Sequence, residues 1–471
     1  MIFAIILFVG GSLVALTNWR RGIYAVVLAG FLQDPIRKLV PDEPVYLSLI
    51  AAALFGVCFL SAVLSGEKMG FKDLHRFNPA LYLPSTLFMV WVGIAVLNAF
   101  ANTHSLVLAG IGAMAYLAPV PGLMLGYRFA RNPDEVLKLL IFYMAVAVVF
   151  GVSLYLEAVG FDWQILGSVG EGFVFYPESG GVTVLRSGLF RSPELAGWHC
   201  ATAVCFLVIL GLARPLDWKF FGMVGLIAAV IVPALVLTGR RKFIMEIVMF
   251  LGFAFALITY FKSGSRRLAT VYTIAALISA AFFFYITSSE LPGEWAVYVD
   301  RSSTAAADSK ERFLLMTGGM LFYVIQQNGF FGLGAGTGSQ GAQHFGGGAV
   351  LVGASAEGGL GKVLAELGVP GLILLAWTLI AAGRYIYAVA RHIKPDQSVA
   401  PLAYGIIAFL AANIVVFTTA HQIFGDVNIL LILGLLLGFL MRSPYFLQQS
   451  VERVPLPKKR RLGRRFDDRV T

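Results

Sequence analysis

Several arginines in this chain stand where an anion could be held. The stretch Thr238-Gly239-Arg240-Arg241-Lys242 joins two apolar runs through very few polar residues, so Arg240 and Arg241 fall where the second run begins. A helix N-terminus attracts anions, and two guanidiniums beside it make a phosphate site. The competing reading is that both side chains snorkel to lipid headgroups, as cations at the ends of spans do. Arg186 and Arg191 precede another apolar run. There Ser192 can cap and Pro193 can open the helix, which sets Arg191 at its mouth and leaves Arg186 in the looser loop. Arg312 follows Asp308 and Ser309, either of which can cap a helix with Glu311 in its first turn. Arg312 can complete a cationic cluster or simply pair with Asp308.

Proton transfer needs a different residue type. Glu357 and His344 are the candidates in the polar segment 288–367. A solvated glutamate is the plain alternative for Glu357. Glu366 reads as structural, and His199, one turn inside an apolar run, reads as a packing histidine. The glycine-rich run GFFGLGAGTGSQG (329–341) contains a formal G-x-G-x-x-G from Gly336 to Gly341. No strand pattern precedes it and no P-loop lysine follows, so a tight packed turn is the better account than a nucleotide loop.

The elements that must position these residues are apolar. The chain has 471 residues, 58% hydrophobic and 13% charged, with a mean hydropathy of +0.80; soluble domains carry about 25% charged residues. Candidate spans are 2–16, 22–33, 45–65, 83–100, 107–127, 137–157, 196–213, 219–238, 243–261, 268–287, 368–390, 400–418 and 426–441. The short second run could be a half-span or re-entrant piece. The fold expected is therefore an all-α, polytopic transmembrane helix bundle of about 12–13 spans. The first run, Ile2–Leu16, lacks a basic leader and a small-residue cleavage site, and reads as a retained span. The run LAELGVPG (364–371) predicts a helix that stops at Gly368, with Pro370 opening the next span.

Placing the basic tail (Lys458, Lys459, Arg460, Arg461, Arg464, Arg465) in the cytoplasm and alternating backwards puts most of the 36 Lys and Arg residues on that side. The arginines above then lie on the other face. This gives an N-terminal bundle over 1–287 with an outer loop at 158–195, an extracytoplasmic segment at 288–367, C-terminal spans over 368–441 and a basic tail over 442–471. The net charge of +10 follows from the same bias and does not call for nucleic acid. Cys58, Cys200 and Cys205 all fall in apolar runs, without disulfide or zinc-ligand spacing.

Three pieces, in order, resemble the O-antigen ligase/O-antigen polymerase superfamily of bacterial surface-polysaccharide enzymes. LTGRRKFIMEIVMFLG (237–252) is similar to the family's arginine at a span start. ERFLLMTGGMLFYVIQQNGFFGLGAGTG (311–338) is similar to its R…W…NPLFGVGPG pattern, and LAELGVPGLILLAW (364–377) to its AELGLPGLLLFL close. The resemblance implies a glycosyltransferase of the bacterial inner membrane, multi-pass with a cytoplasmic C-terminus. It would move glycan from an undecaprenyl-diphosphate carrier to an acceptor glycan or glycolipid on the extracytoplasmic face. It further implies no cofactor, no nucleotide sugar and no required metal, with polysaccharide assembly or export proteins as possible partners. Arginines hold the diphosphate: Arg240 or Arg241 matches the span-start arginine, Arg191 or Arg186 the earlier outer-loop one, and Arg312 that of the insert helix. Ligases of the family carry His-Asn-x-Tyr/Phe-Leu where this chain has Glu357-Gly358, and the nearest histidine is His344. That departure points to a polymerase-like or exopolysaccharide variant, or to a carboxylate replacing the histidine as base. Two other function classes fit the same composition: a transporter or flippase of a lipid-linked glycan precursor, and a non-catalytic component of an export complex.

Overall fold

The computed structural model describes residues 1–67, 69, 79–169, 174–175, 183–213, 218–261, 267–268, 270–275, 279, 314–339, 342–345, 358–393 and 399–452. It is an all-α bundle. Its helices are α1 (Ile2–Thr17), α2 (Trp19–Lys38), α3 (Ile50–Leu64), α4 (Pro79–Thr103), α5 (Leu106–Leu117), α6 (Pro119–Phe129), α7 (Pro133–Ala158), α8 (Pro193–Ala213), α9 (Trp218–Leu237), α10 (Arg241–Tyr260), α11 (Met320–Asn328), α12 (Gly359–His392), α13 (Ala400–Thr419) and α14 (Val427–Glu452). Among the described residues the only strand pairing is a two-residue antiparallel rung, Val174–Phe175 with Thr183–Val184.

Among the described residues, eight helices are long and apolar enough to cross a membrane, nine if the bent pair α5–α6 counts as one span. The expected span at 107–127 is thus corrected to two helices, meeting at a bend of 40°. The reason is Pro119: it has no N–H to give the preceding turn, and its ring displaces the carbonyl four residues back. The short run 22–33 also proves longer than its apolar part. Asn18 caps α2 by accepting from Arg20 and Arg21 N–H groups, and Gln33, Asp34, Arg37 and Lys38 extend the helix as buried polar residues. The runs at 2–16 and 219–238 appear as shorter apolar helices. Most of 268–287, the cap at Asp308 and the basic tail lie outside the described residues.

The bundle is built around α8, whose 18-residue apolar window is 100% buried. Its sequence, PELAGWHCATAVCFLVILGLA, is apolar on every face, which is the pattern of a helix surrounded by others. Helices α7, α9, α10 and α13 pack around it. A second, smaller core joins α4 to α12 through Phe88, Val92, Ala95, Val363 and Leu367. The glycine-rich run closes that core. Leu333 and Gly334 donate N–H to Ala365 and Glu366 carbonyls at 2.8 and 3.0 Å, and Ala335 donates to Ala95 at 3.0 Å. Gly334 has φ +112°, and a Cβ there would collide with the Ala99 backbone nitrogen. The run is therefore a packed turn.

Gly368 breaks α12 with φ 67° and ψ −171°, where the sequence predicts a helix stop before Pro370. The half before the break is buried; Trp91 Nε1 donates to the Leu367 carbonyl at 2.8 Å. The half beyond it runs beside α4. Between the π-helical turn Leu315–Gly319 and Gly329, α11 buries Val324 and exposes Phe322 and Tyr323.

Candidate functional site

The bundle has two polar ends. At one, Arg20 donates to Glu67 at 2.8 Å and to the Arg128 and Phe129 carbonyls at 3.1 Å, so a cation closes the C-terminus of α6. The other end gathers the C-termini of α2, α7, α9 and α13 and the N-termini of α8, α10, α12 and α14. We call it the hairpin end, after the tight α9–α10 turn. The sequence-predicted arginines converge here.

Arg191 is the centre of this end. It precedes α8, where the Ser192 hydroxyl accepts from Leu195 N–H at 3.4 Å, as a cap should. The Arg191 guanidinium donates to Asp34 of α2 at 3.1 Å and to Asp426 at 2.6 Å, and its backbone N–H reaches Asp34 at 3.1 Å. Asp426 in turn caps α14 by accepting from Ile429 N–H at 3.0 Å. Burial pulls the Arg191 guanidinium down, but the two carboxylates outweigh it and its pKa rises above the usual value. Arg191 thus ties α2, α8 and α14 together at one point.

Arg186 lies on the same loop. Its guanidinium is 4.0 Å from Glu157 at the end of α7. The other Glu157 oxygen accepts from Ser187 and Gly188 N–H groups at 2.9 and 2.6 Å. The loop is fastened a second time by Lys38, whose ammonium donates to the Ile165, Gly188 and Phe190 carbonyls at 3.1, 2.9 and 2.7 Å. Burial pulls the Lys38 ammonium down to about 8, against the attraction of Asp34, Glu157 and Glu43.

Arg240 comes from the α9–α10 turn, which Gly239 makes possible with φ 62°. Its guanidinium sits 2.9 Å from Glu194 in the first turn of α8. Arg241 opens α10 and is half-buried. Lys242 donates to Gln422 in the α13–α14 link at 3.1 Å. The start of α12 joins the same end: a Cβ at Gly359 would collide with the Phe417 carbonyl of α13.

Arg186 and Arg191 of one loop and Arg240 of the distant α9–α10 turn are therefore brought to the mouth of one helix, each against a carboxylate. Around them stand the cations Arg37, Lys38, Arg241 and Lys242 and the acids Asp34, Glu43, Glu157, Glu194 and Asp426. Such an arrangement can accept an anion at the partly exposed Arg186 and Arg240, which are 21% and 18% exposed. Both of Arg191's terminal nitrogens are already on carboxylates.

Arg312 and Glu357 lie outside the described residues. His344 falls in the short helical turn Ala342–Phe345, and its side chain lies outside them too. Glu366 is engaged beneath the glycine-rich turn: Tyr116 donates to it at 2.7 Å, Gly338 N–H at 2.9 Å, and Lys362 stands 3.9 Å away. His199 is buried, 2.6 Å from the Tyr143 hydroxyl and stacked on Phe190 at 4.9 Å. It packs, as its place inside an apolar run suggests.

Sequence reasoning missed the acids. Asp34, Glu157, Glu194 and Asp426 each stand within a turn of the end of an apolar run, and Asp426 precedes VNILLILG as an N-cap would. It also missed Glu246, the single acid inside the α10 run, which is fully buried. No protein-family model matches this chain, and no curated protein matches it.

Proposed function

We propose that this chain is a glycosyltransferase of the bacterial inner membrane. It transfers glycan from an undecaprenyl-diphosphate carrier to an acceptor sugar at the hairpin end, which faces away from the cytoplasm. The observation that carries this reading is the convergence of Arg186, Arg191 and Arg240, with Arg241 beside them, on the mouth of α8. A diphosphate is the ligand class such a cluster suits, and at membrane depth it would arrive on a lipid.

In the reaction an acceptor hydroxyl attacks the anomeric carbon and the bond from that carbon to the diphosphate oxygen breaks. The hydroxyl proton passes to a base, Glu357 or His344 in this proposal, and undecaprenyl diphosphate leaves. Its departure becomes feasible once its negative charge is met by fixed cations. Arg240 and Arg186 would exchange their carboxylates for phosphate oxygens. Arg191, held by Asp34 and Asp426, would keep the site in shape.

Replacing Arg240 and Arg241 together by alanine should lower polysaccharide formation about a hundredfold, with the protein still folded in the membrane and carrier-linked glycan accumulating. Unchanged yield and chain length would remove the arginines from the reaction.

A second reading, transport of a lipid-linked precursor, is favoured by the bent pair α5–α6 and by the buried Glu246, since transporters carry broken helices and intramembrane acids. Sidedness separates the two: a lost transporter leaves the carrier-linked glycan on the cytoplasmic face, a lost transferase on the opposite one.

A further inference from the structure

Below the ionic rim of the hairpin end, three helices meet through a short chain of buried polar groups. Trp198 Nε1 of α8 donates to Asn413 Oδ1 of α13 at 2.9 Å, and Asn413 Nδ2 donates to Glu246 Oε1 of α10 at 3.0 Å. The same Asn413 nitrogen reaches the Phe409 carbonyl at 3.0 Å, so both amide protons are used. Glu246 lies five residues into α10 from Arg241, about 7 Å deeper along the helix axis. It is 0% exposed, and its second oxygen, Oε2, is buried with no hydrogen-bond partner.

Among the described residues, no lysine, arginine or histidine lies within ion-pair distance of Glu246. At the rim, Arg240 stands 2.9 Å from Glu194. The other titratable groups within electrostatic reach of Glu246 are neutral hydroxyl and thiol groups, Tyr143 of α7 and Cys205 of α8. Helix α13 has no charged residue, and α9 presents none among its described side chains. One amide donor does not offset the loss of hydration of a carboxylate at membrane depth, which costs several kcal/mol when no cation is near. A carboxylic acid avoids that penalty. Oε1 already accepts from Asn413, so Oε2 is the atom left to carry hydrogen.

We propose that Glu246, joined to Asn413 and Trp198 and with one oxygen unpartnered, is a proton-binding site inside the membrane bundle. Its ligand is a single proton, taken up and released at Oε2. Protonated, Glu246 lets α8, α10 and α13 close on one another. Ionised, it draws in water or parts α10 from its neighbours. The site is independent of the glycosyl-transfer reading and would serve a transferase or a transporter alike.

The test uses the full chain in lipid nanodiscs. Dicyclohexylcarbodiimide, an apolar reagent that reacts with protonated carboxyls, is added across a pH series, and adducts are read by peptide mass spectrometry. The expected result is an adduct on Glu246 that a water-soluble carbodiimide does not give. Above the carboxyl's pKa the adduct falls about tenfold per pH unit, and it is absent from Glu246→Gln. Asn413→Leu should carry labelling to higher pH, because the amide favours the ionised form it donates to. Infrared difference spectra between the wild type and Glu246→Gln provide a readout that does not depend on reagent access. A protonated-carboxyl carbonyl band lost in the variant supports the proposal even without an adduct; no such band at neutral pH overturns it. Protection of Glu246 by sodium at constant pH and ionic strength would also overturn it, since the orphan oxygen would then belong to a metal-cation site.

Discussion

Asp34 and Asp426 lie near opposite ends of the sequence, and the Arg191 guanidinium stands between their carboxylates at 3.1 and 2.6 Å. The acids are 2% and 6% exposed, so removing the cation leaves two buried negative charges facing each other. Arg191→Ala is expected to destabilise the folded protein by about 3–5 kcal/mol, read as a large drop in thermal stability in detergent. Arg191→Lys should recover only part of this, because one ammonium cannot reproduce the fork that serves both acids. Arg240→Ala should be milder on stability, since it leaves one carboxylate, Glu194, without its cation where Arg191→Ala leaves two. At this scale the sequence reveals one partner of each pair. Arg191, Arg186 and Arg240 are visible because cations on the sparsely basic face demand explanation. Their acids are not, because nothing in QDPIRK or FGDVNIL says which distant arginine will arrive. Glu246 escapes for a related reason: a lone acid in an apolar run has no spacing partner, and its contact with Asn413 exists only once α10 and α13 pack.

Helix α8 and the glycine-rich turn are the elements on which the site depends. The first is readable from its sequence, apolar on every face and hence central. The turn is readable as a turn, but its partners, Ala95, Ala99, Ala365 and Glu366, follow from long-range packing. Gly334→Ala should destabilise by more than about 1 kcal/mol, because φ +112° is unfavourable for alanine and the new methyl meets the Ala99 backbone. Gly252→Ala in α10, where a Cβ meets nothing within 4 Å, should be neutral or stabilising by up to about 1 kcal/mol. Equal effects of the two substitutions on thermal stability would contradict the packed-turn account. The break at Gly368 was legible because a helix-ending glycine and a helix-opening proline stand two residues apart. The bend between α5 and α6 is hidden in the hydropathy, which runs smoothly through Pro119, because a hydropathy window does not register a missing N–H.

On the scale of the whole molecule, the two ends of the bundle differ in their polar groups. One end carries Arg20, Arg128 and the approach to the basic tail; the other carries the paired arginines at the mouth of α8. The all-α, multi-pass character follows from composition, and the eight long apolar helices among the described residues bear it out. A deletion strain tests the proposed transfer at the hairpin end. The measurement is the amount, length and sidedness of undecaprenyl-diphosphate-linked glycan after the gene is removed and then restored as wild type or as the Arg240→Ala/Arg241→Ala variant. Deletion is expected to leave carrier-linked glycan on the extracytoplasmic face, which the wild type clears and the double variant does not. A one-unit glycan would identify a polymerase and a long chain a ligase. Carrier-linked glycan confined to the cytoplasmic face, or none above the wild-type level, would contradict the claim.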